Sequence, residues 1–200
     1  MTPTFEWING LFPKGGYFVE AGAHDGVGDS QTKELEDTGL WTGLCIEPSS
    51  AFRGLESCVK KGIRHCKIDN RCLWISDGGT VNFREVKGEA IELSGIDGCF
   101  GDSWDRESRP HGFVQKQAVT LTTMLDEHNA PRVIEFLSLD TEGSEFEILC
   151  GLDFTKRNIL AMQVEHNGVL TKRMAVTRLL SMNGYNMIGT DEINDRFELQ

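Results

Sequence analysis

Short apolar runs alternate with polar, helix-like stretches along most of the chain. "GYFVEA" predicts a strand, because a continuous apolar run this short fits one covered on both faces. "SQTKELEDTG" predicts a helix with Ser30 as its cap and Gly39 as its stop. "WTGLCIE" predicts a second buried strand, and "SSAFRGLESCVKKG" a second helix capped by Ser49 or Ser50 and ended by Gly62. "IRHCKIDNRCLWI" reads as a third strand and its exit, and "GTVNFREV" alternates like an edge strand or hairpin arm. Between residues 89 and 115 the pattern dissolves into Gly, Asp, Ser and Arg, which predicts a long surface loop of the kind that serves as a lid. The rhythm then returns. "KQAVTLTTMLDEHN" turns from strand to helix, "VIEFLSLD" is a buried strand, "SEFEILCGL" a helix, "NILAMQVEHN" a strand and "TKRMAVTRLLSMNG" a helix stopped at Gly184. "YNMIGT" and "DRFELQ" close the chain as a pair of strands. The whole predicts an α/β fold, with a mostly parallel sheet, helices on both faces and an antiparallel C-terminal strand. Residues 1–200 fit one domain, with residues 94–115 as a loop on the acceptor side.

In open parallel sheets ligands bind at the carboxyl ends of the strands. Acids stand at four predicted strand ends, Glu20, Glu47, Asp140 and Glu165, and Asp69 follows the third strand. Glu20 leads into the glycine loop "EAGAHDGVG", which is not the GxGxxG of nicotinamide-binding proteins. Glycines let the backbone approach a ligand. With Glu20 and Asp25 the loop is negative, so it suits a cationic nucleoside such as S-adenosylmethionine better than a pyrophosphate. Glu47, at the end of the second strand, can accept from both ribose hydroxyls. Glu142 and Glu145 begin a helix, where dipole electrostatics alone would account for them. Asp140 has no such account. It ends a buried strand beside the expected crevice, and "EHN" (Glu165, His166, Asn167) ends the next one.

The formal net charge of -11 argues against nucleic acid and against an anionic membrane surface as partners. No stretch approaches the length of a membrane span, and the opening "MTPTFEWINGLFPKGG" lacks the pattern of a signal peptide, which points to a cytoplasmic protein. Six cysteines form no CxxC pair, so free buried thiols are expected rather than a zinc knuckle or a redox motif.

Three blocks in order, "YFVEAGAHDGVGDSQT", "WTGLCIEPSSAFRGLE" and "VIEFLSLDTEGSEFEILCGLDF", resemble the FkbM-type methyltransferases. The resemblance runs from about residue 16 to about residue 189, with residues 94–115 matching nothing. It implies a Rossmann-like class I methyltransferase fold, S-adenosylmethionine as donor, and a hydroxyl of a sugar or glycan as acceptor. It also implies that Glu20, Gly22, Ala23, His24 and Asp25 line the methionine part and that Glu47 and Pro48 hold the ribose. Asp69, Asn70, Ser76 and Asp77 would lie near adenine, and Asp140 beside the sulfonium. The set Asp140, Glu165 and Asn167 is similar to the metal site of catechol-type O-methyltransferases, with Glu165 standing where Asp is usual.

A sugar hydroxyl needs activation, which leaves two schemes open. One is a general base, His166, with Glu142 and Asp140 as runners-up. The other is Mg²⁺ or Mn²⁺ on Asp140, Glu165 and Asn167. Trp104, Arg106, Arg109, His111 and Glu145 are the candidate acceptor contacts. The alternatives to a methyltransferase are a nicotinamide-dependent oxidoreductase and a non-catalytic cofactor-binding module.

Overall fold

The computed structural model describes residues 1–88, 90–99 and 109–200. Helix α1 (Pro3–Leu11) precedes β1 (Gly16–Ala21), α2 (Lys33–Asp37), β2 (Trp41–Ile46), α3 (Phe52–Lys60) and β3 (Lys67–Asp69). A second region follows, with β4 (Cys72–Leu73), β5 (Thr80–Val86), a 3₁₀ turn (Ile91–Leu93), β6 (Gly95–Ile96) and β7 (His111–Val119). The chain then makes α4 (Leu121–Glu127), β8 (Val133–Leu139), α5 (Glu145–Cys150), β9 (Asn158–Glu165), α6 (Leu170–Met182), β10 (Tyr185–Thr190) and β11 (Asn194–Leu199).

The main sheet has the order β10-β11-β9-β8-β1-β2-β3. β1 pairs in parallel with β2 on one side and β8 on the other, and β11 runs antiparallel to β9 and β10. The chain builds outward from β1 through β2 to β3, then restarts at β8. The switch of direction therefore falls between β1 and β8, where such sheets open a ligand crevice. Side chains alternate across the sheet. Val19, Leu44, Leu137 and Met162 face one apolar layer under α4, α5 and α6, and Phe18, Cys45, Phe136 and Ala161 face the other under α1, α2 and α3. Phe18 and Phe136 are register partners and fully buried, and burial of each such side chain stabilises by about 1.5–3 kcal/mol.

Three elements depart from the sequence pattern, each for a physical reason. The "TPTFEW" start is a helix: Thr2 accepts from the Phe5 amide at 3.2 Å, and Pro3 suits the first turn. Helix α2 begins only at Lys33, because Ser30, Gln31 and Thr32 are drawn onto the Glu20 carboxylate. The long-loop expectation fails at both of its ends. Residues 91–96 form the 3₁₀ turn and β6, and β7 pairs antiparallel with β5 from Thr80↔Gln117 to Val86↔His111. These strands make a small sheet, β4-β7-β5-β6. Most of β7 is not buried, so its pairing rests on backbone hydrogen bonds, and only its end, "KQAV", reads as strand in the sequence. Among the described residues no helix is long and apolar enough to cross a membrane.

Candidate functional site

A cleft of about 290 Å³ opens at the carboxyl ends of β1, β2, β8 and β9. That is close to the lower bound for small-molecule sites, which are mostly apolar with a few placed polar groups. Ile46, Cys72, Leu73 and Ile148 line an apolar part, Gly22, His24, Glu47 and Pro48 a loop part, and Asp140, Glu142 and Glu165 an acidic part. The small sheet contributes Phe83 and Ile96, and the 3₁₀ turn with its cap adds Ile91, Glu92 and Ser94.

The loop part is built by backbone. Gly22 has φ +85, and a Cβ there would stand 1.7 Å from the Asp140 carbonyl oxygen. The glycine is therefore demanded by the exits of β1 and β8 meeting each other. Gly22 and Ala23 both donate to the Ile46 carbonyl, which ties the loop to the end of β2. Glu47 accepts from the His24 amide at 2.8 Å and the Ser49 amide at 2.7 Å. A carboxylate accepts at about four lone-pair positions, so acceptor capacity beyond these two bonds faces the cleft. His24 sits at φ +49, and neither of its ring nitrogens has a hydrogen-bond partner among the described residues.

Glu20 does not line the cleft. The pleat turns it to the helix side of β1, the same side as Phe18, where it is buried. It accepts from Ser30 Oγ at 2.8 Å, from Thr32 Oγ1 at 2.6 Å and from the Gln31 amide. Its negative charge is balanced by Arg64, not reserved for a cationic ligand. Ala23 packs into that same apolar layer. Asp25 closes a local turn by accepting from the Val27 and Gly28 amides at 2.9 Å each. Burial raises its pKa, but the amides and His24 lower it more, so it lies below the usual carboxylate range.

The expected adenine residues are also elsewhere. Asp69 binds Arg71 and His128, with Arg71 Nη2 at 2.8 Å and His128 Nε2 at 2.9 Å. Burial raises its pKa, yet the hydrogen bonds from Arg71 and His128 bring it down to about 2. Asn70 and Ser76 are exposed. Asp77 caps the start of α4 by accepting from the Thr120 amide at 2.6 Å and from Thr123 Oγ1 at 2.8 Å. Cys72 and Leu73 of β4 line the cleft instead. The chain swings into the small sheet immediately after Arg71, a turn that apolar patterning does not reveal.

At the other end Asp140, Glu142 and Glu165 each present an oxygen within 4.8 Å of the others. Asn167 joins them as a donor: its Nδ2 lies 3.2 Å from Glu142 and 2.6 Å from Glu165. His166 is turned away from the cleft. Its Nδ1 accepts from the Gly168 amide at 3.0 Å, and its Nε2 lies 3.9 Å from Asp195. It braces the turn from β9 into α6 against the β10–β11 turn and β11, and is not placed to serve as the base. Glu145 is a brace as well, accepting from the Thr141 and Gly143 amides at 2.9 and 3.1 Å. His111 lies on β7, where Arg84 Nη2 is 3.1 Å from its Nδ1 and Phe113 meets it edge-on. The Arg109 carbonyl oxygen lies 2.9 Å from the same nitrogen. Neither His111 nor Arg109 lines the cleft. Trp104 and Arg106 lie outside the described residues.

The strand order, with the cleft at its switch point, defines a Rossmann-like class I methyltransferase fold. The Methyltransferase FkbM domain matches residues 20–187, and the chain belongs to that family. Among solved structures, methyltransferase FkbM from Methylobacillus flagellatus KT superposes with a TM-score of 0.56 at 13% identity, over 92% of this chain and 44% of that one. The chain thus spans less than half the length of that relative. A protein of the NADB-Rossmann superfamily from Streptococcus agalactiae gives a TM-score of 0.52 at 8% identity, over 99% of this chain and 67% of that one. At such identities the likeness is one of fold. No curated protein matches the chain.

Proposed function

We propose that the chain binds S-adenosylmethionine in this cleft and transfers its methyl group to a hydroxyl of a sugar or glycan. The observation that carries the reading is the division of the cleft, with Glu47 fixed by two amides at one end and three convergent carboxylates at the other. Family membership favours it over the nicotinamide-dependent alternative. Glu47 and the His24 ring, whose nitrogens make no hydrogen bond among the described residues, suit a ribose, and the apolar wall of Ile46, Cys72 and Leu73 suits a nucleobase. When bound, the cofactor would supply an electrophilic methyl group on a sulfonium.

The residues of this chain then have three tasks. Glu47, His24 and Pro48 orient the nucleoside. The apolar wall excludes water. Asp140 or Glu142 accepts the proton of the acceptor hydroxyl, general-base assistance worth about 10²–10⁴-fold. Thr141, Ser144, Ser94 and Glu92 add hydroxyl and carboxylate groups to the cleft wall, which suits a polyhydroxylated acceptor.

A second reading keeps the cofactor and replaces the base with Mg²⁺ or Mn²⁺ on Asp140, Glu142 and Glu165. Their oxygen donors and 4.8 Å convergence favour it. The ion would make the alkoxide accessible. Asn167 enters this set only as a donor to two of the carboxylates.

The test is methyl transfer from isotopically labelled S-adenosylmethionine to a panel of monosaccharides and oligosaccharides, with the product located by mass spectrometry. Labelled methyl ether on a sugar, formed without added metal, supports the base scheme. Dependence on Mn²⁺ or Mg²⁺ supports the second reading. Label on a nitrogen or on a non-carbohydrate acceptor would overturn the acceptor assignment.

A further inference from the structure

Arg64 carries no sequence signal of its own. It falls at the start of "IRHCKIDNRCLWI", read as a strand and its exit, with nothing to mark it out. Among the described residues it is the largest fully buried side chain, at 0% exposure. Its Nη1 donates to the Gly26 carbonyl and to Ser30 Oγ, both at 2.7 Å, and its Nη2 to Thr32 Oγ1 at 2.9 Å and Cys45 Sγ at 3.1 Å. Glu20 lies 3.9 Å from Nη2, and Glu36 lies 2.7 Å from Nε at an angle too poor for a hydrogen bond. The Phe18 ring sits 5.6 Å beneath the guanidinium carbon.

Three of these contacts fall on the segment between residues 26 and 32. The same segment carries Asp29 and Gln31, which line the cleft, and is gripped from β1 by Glu20. Only a planar fork with several donors meets Gly26, Ser30 and Thr32 together, whereas an ammonium offers three donors from one point. Burial lowers the pKa of the guanidinium, but Cys45, Glu20, Cys66 and Glu36 around it raise it more, so it stays charged.

We propose that Arg64 is a positioning residue for the cleft, the strut that holds loop 26–32 so that Asp29 and Gln31 face the ligand. Its effect on ligand affinity rests on the function proposed above. Its effect on the loop does not.

The experiment compares wild type with Arg64→Lys and with a control of matched lower Tm, Ile134→Val or Ile134→Ala, at the far end of β8. Two quantities are read: amide exchange across residues 26–32 without ligand, and affinity for S-adenosylhomocysteine by calorimetry. Arg64→Lys should exchange at least about tenfold faster in that loop than the control, and should bind at least about tenfold more weakly, a change of about 1.4 kcal/mol. Equal exchange in Arg64→Lys and the control would overturn the proposal, as would faster exchange with unchanged affinity. If wild type binds no nucleoside, the functional reading fails, and the exchange comparison still decides whether Arg64 holds the loop.

Discussion

The two ends of the cleft are both acidic, yet they are built on opposite principles. Around β1 and β2 three acids are committed to the chain. Glu20 and Glu36 face a buried guanidinium, and Glu47 is clasped by two amides. Beyond β8 and β9, Asp140, Glu142 and Glu165 crowd within 4.8 Å of one another on the cavity wall, with Asn167 donating to two of them. The first arrangement makes a rigid seat. The second concentrates negative charge and proton acceptors where a reacting group would sit. An acid at a strand end therefore has no fixed meaning. The pleat and the neighbouring loop decide whether it builds the wall or faces the ligand.

Variants that break this contrast should differ in kind as well as in size. The largest effect is expected at the reactive end. Asp140→Asn and Glu142→Gln should lower kcat, the one serving as base by about 10²–10⁴-fold, while S-adenosylhomocysteine affinity is retained. Steady-state turnover with parallel calorimetry checks this, and a loss confined to affinity would move those residues into the seat. Arg64→Met comes next. It strands Glu20 and Glu36 in the interior, and breaking a buried ion pair costs about 3–5 kcal/mol, measurable by urea unfolding. A loss no larger than that of a surface substitution would contradict the assigned network. Glu47→Gln is smaller. Its amide NH₂ meets one of the two N–H groups that Glu47 now accepts, so affinity for the nucleoside should fall by about 1.5–3 kcal/mol with kcat little changed.

The smallest effect is expected at Asp69. Its folded pKa of about 2 lies below the unfolded value near 3.8. The pairing with Arg71 and His128 therefore stabilises the fold above about pH 4, and the contribution is lost as pH falls towards 2. Asp69→Asn should flatten that acid limb in thermal melts and leave nucleoside affinity unchanged. A drop in affinity would return Asp69 to the adenine wall.

Much of this architecture was legible in the sequence. The strands "GYFVEA", "WTGLCIE", "VIEFLSLD" and "NILAMQVEHN" are covered on both faces, so their residues are mostly apolar on both sides of the pleat and the runs mark the strands. Glu47, Asp140 and Glu165 followed, because a strand-end residue in a parallel sheet is near the crevice whatever its neighbours do. Side-chain direction was less legible. Glu20 lies a single residue before its strand ends, and that offset turns it into the helix layer. His166 follows Glu165 directly and points the other way. The small sheet was legible only in part: β5 alternates in "GTVNFREV" and the end of β7 shows in "KQAV", but β4 and β6 are two residues each and most of β7 is not buried. Arg64 was invisible because its partners, Gly26, Ser30 and Thr32, are more than thirty positions away, and only the folded chain brings them together.

The central claim is that the cleft at the β1–β8 switch point is a seat for S-adenosylmethionine. A thermal-shift titration with S-adenosylhomocysteine tests it most directly. At 100 times the dissociation constant the ligand should stabilise the fold by about 2.7 kcal/mol, and so raise Tm by about 5–10 °C for a chain of this size. The shift should shrink in Glu47→Gln and persist in Asp140→Asn. No shift at saturating nucleoside, or an equal shift in wild type and Glu47→Gln, would contradict the account.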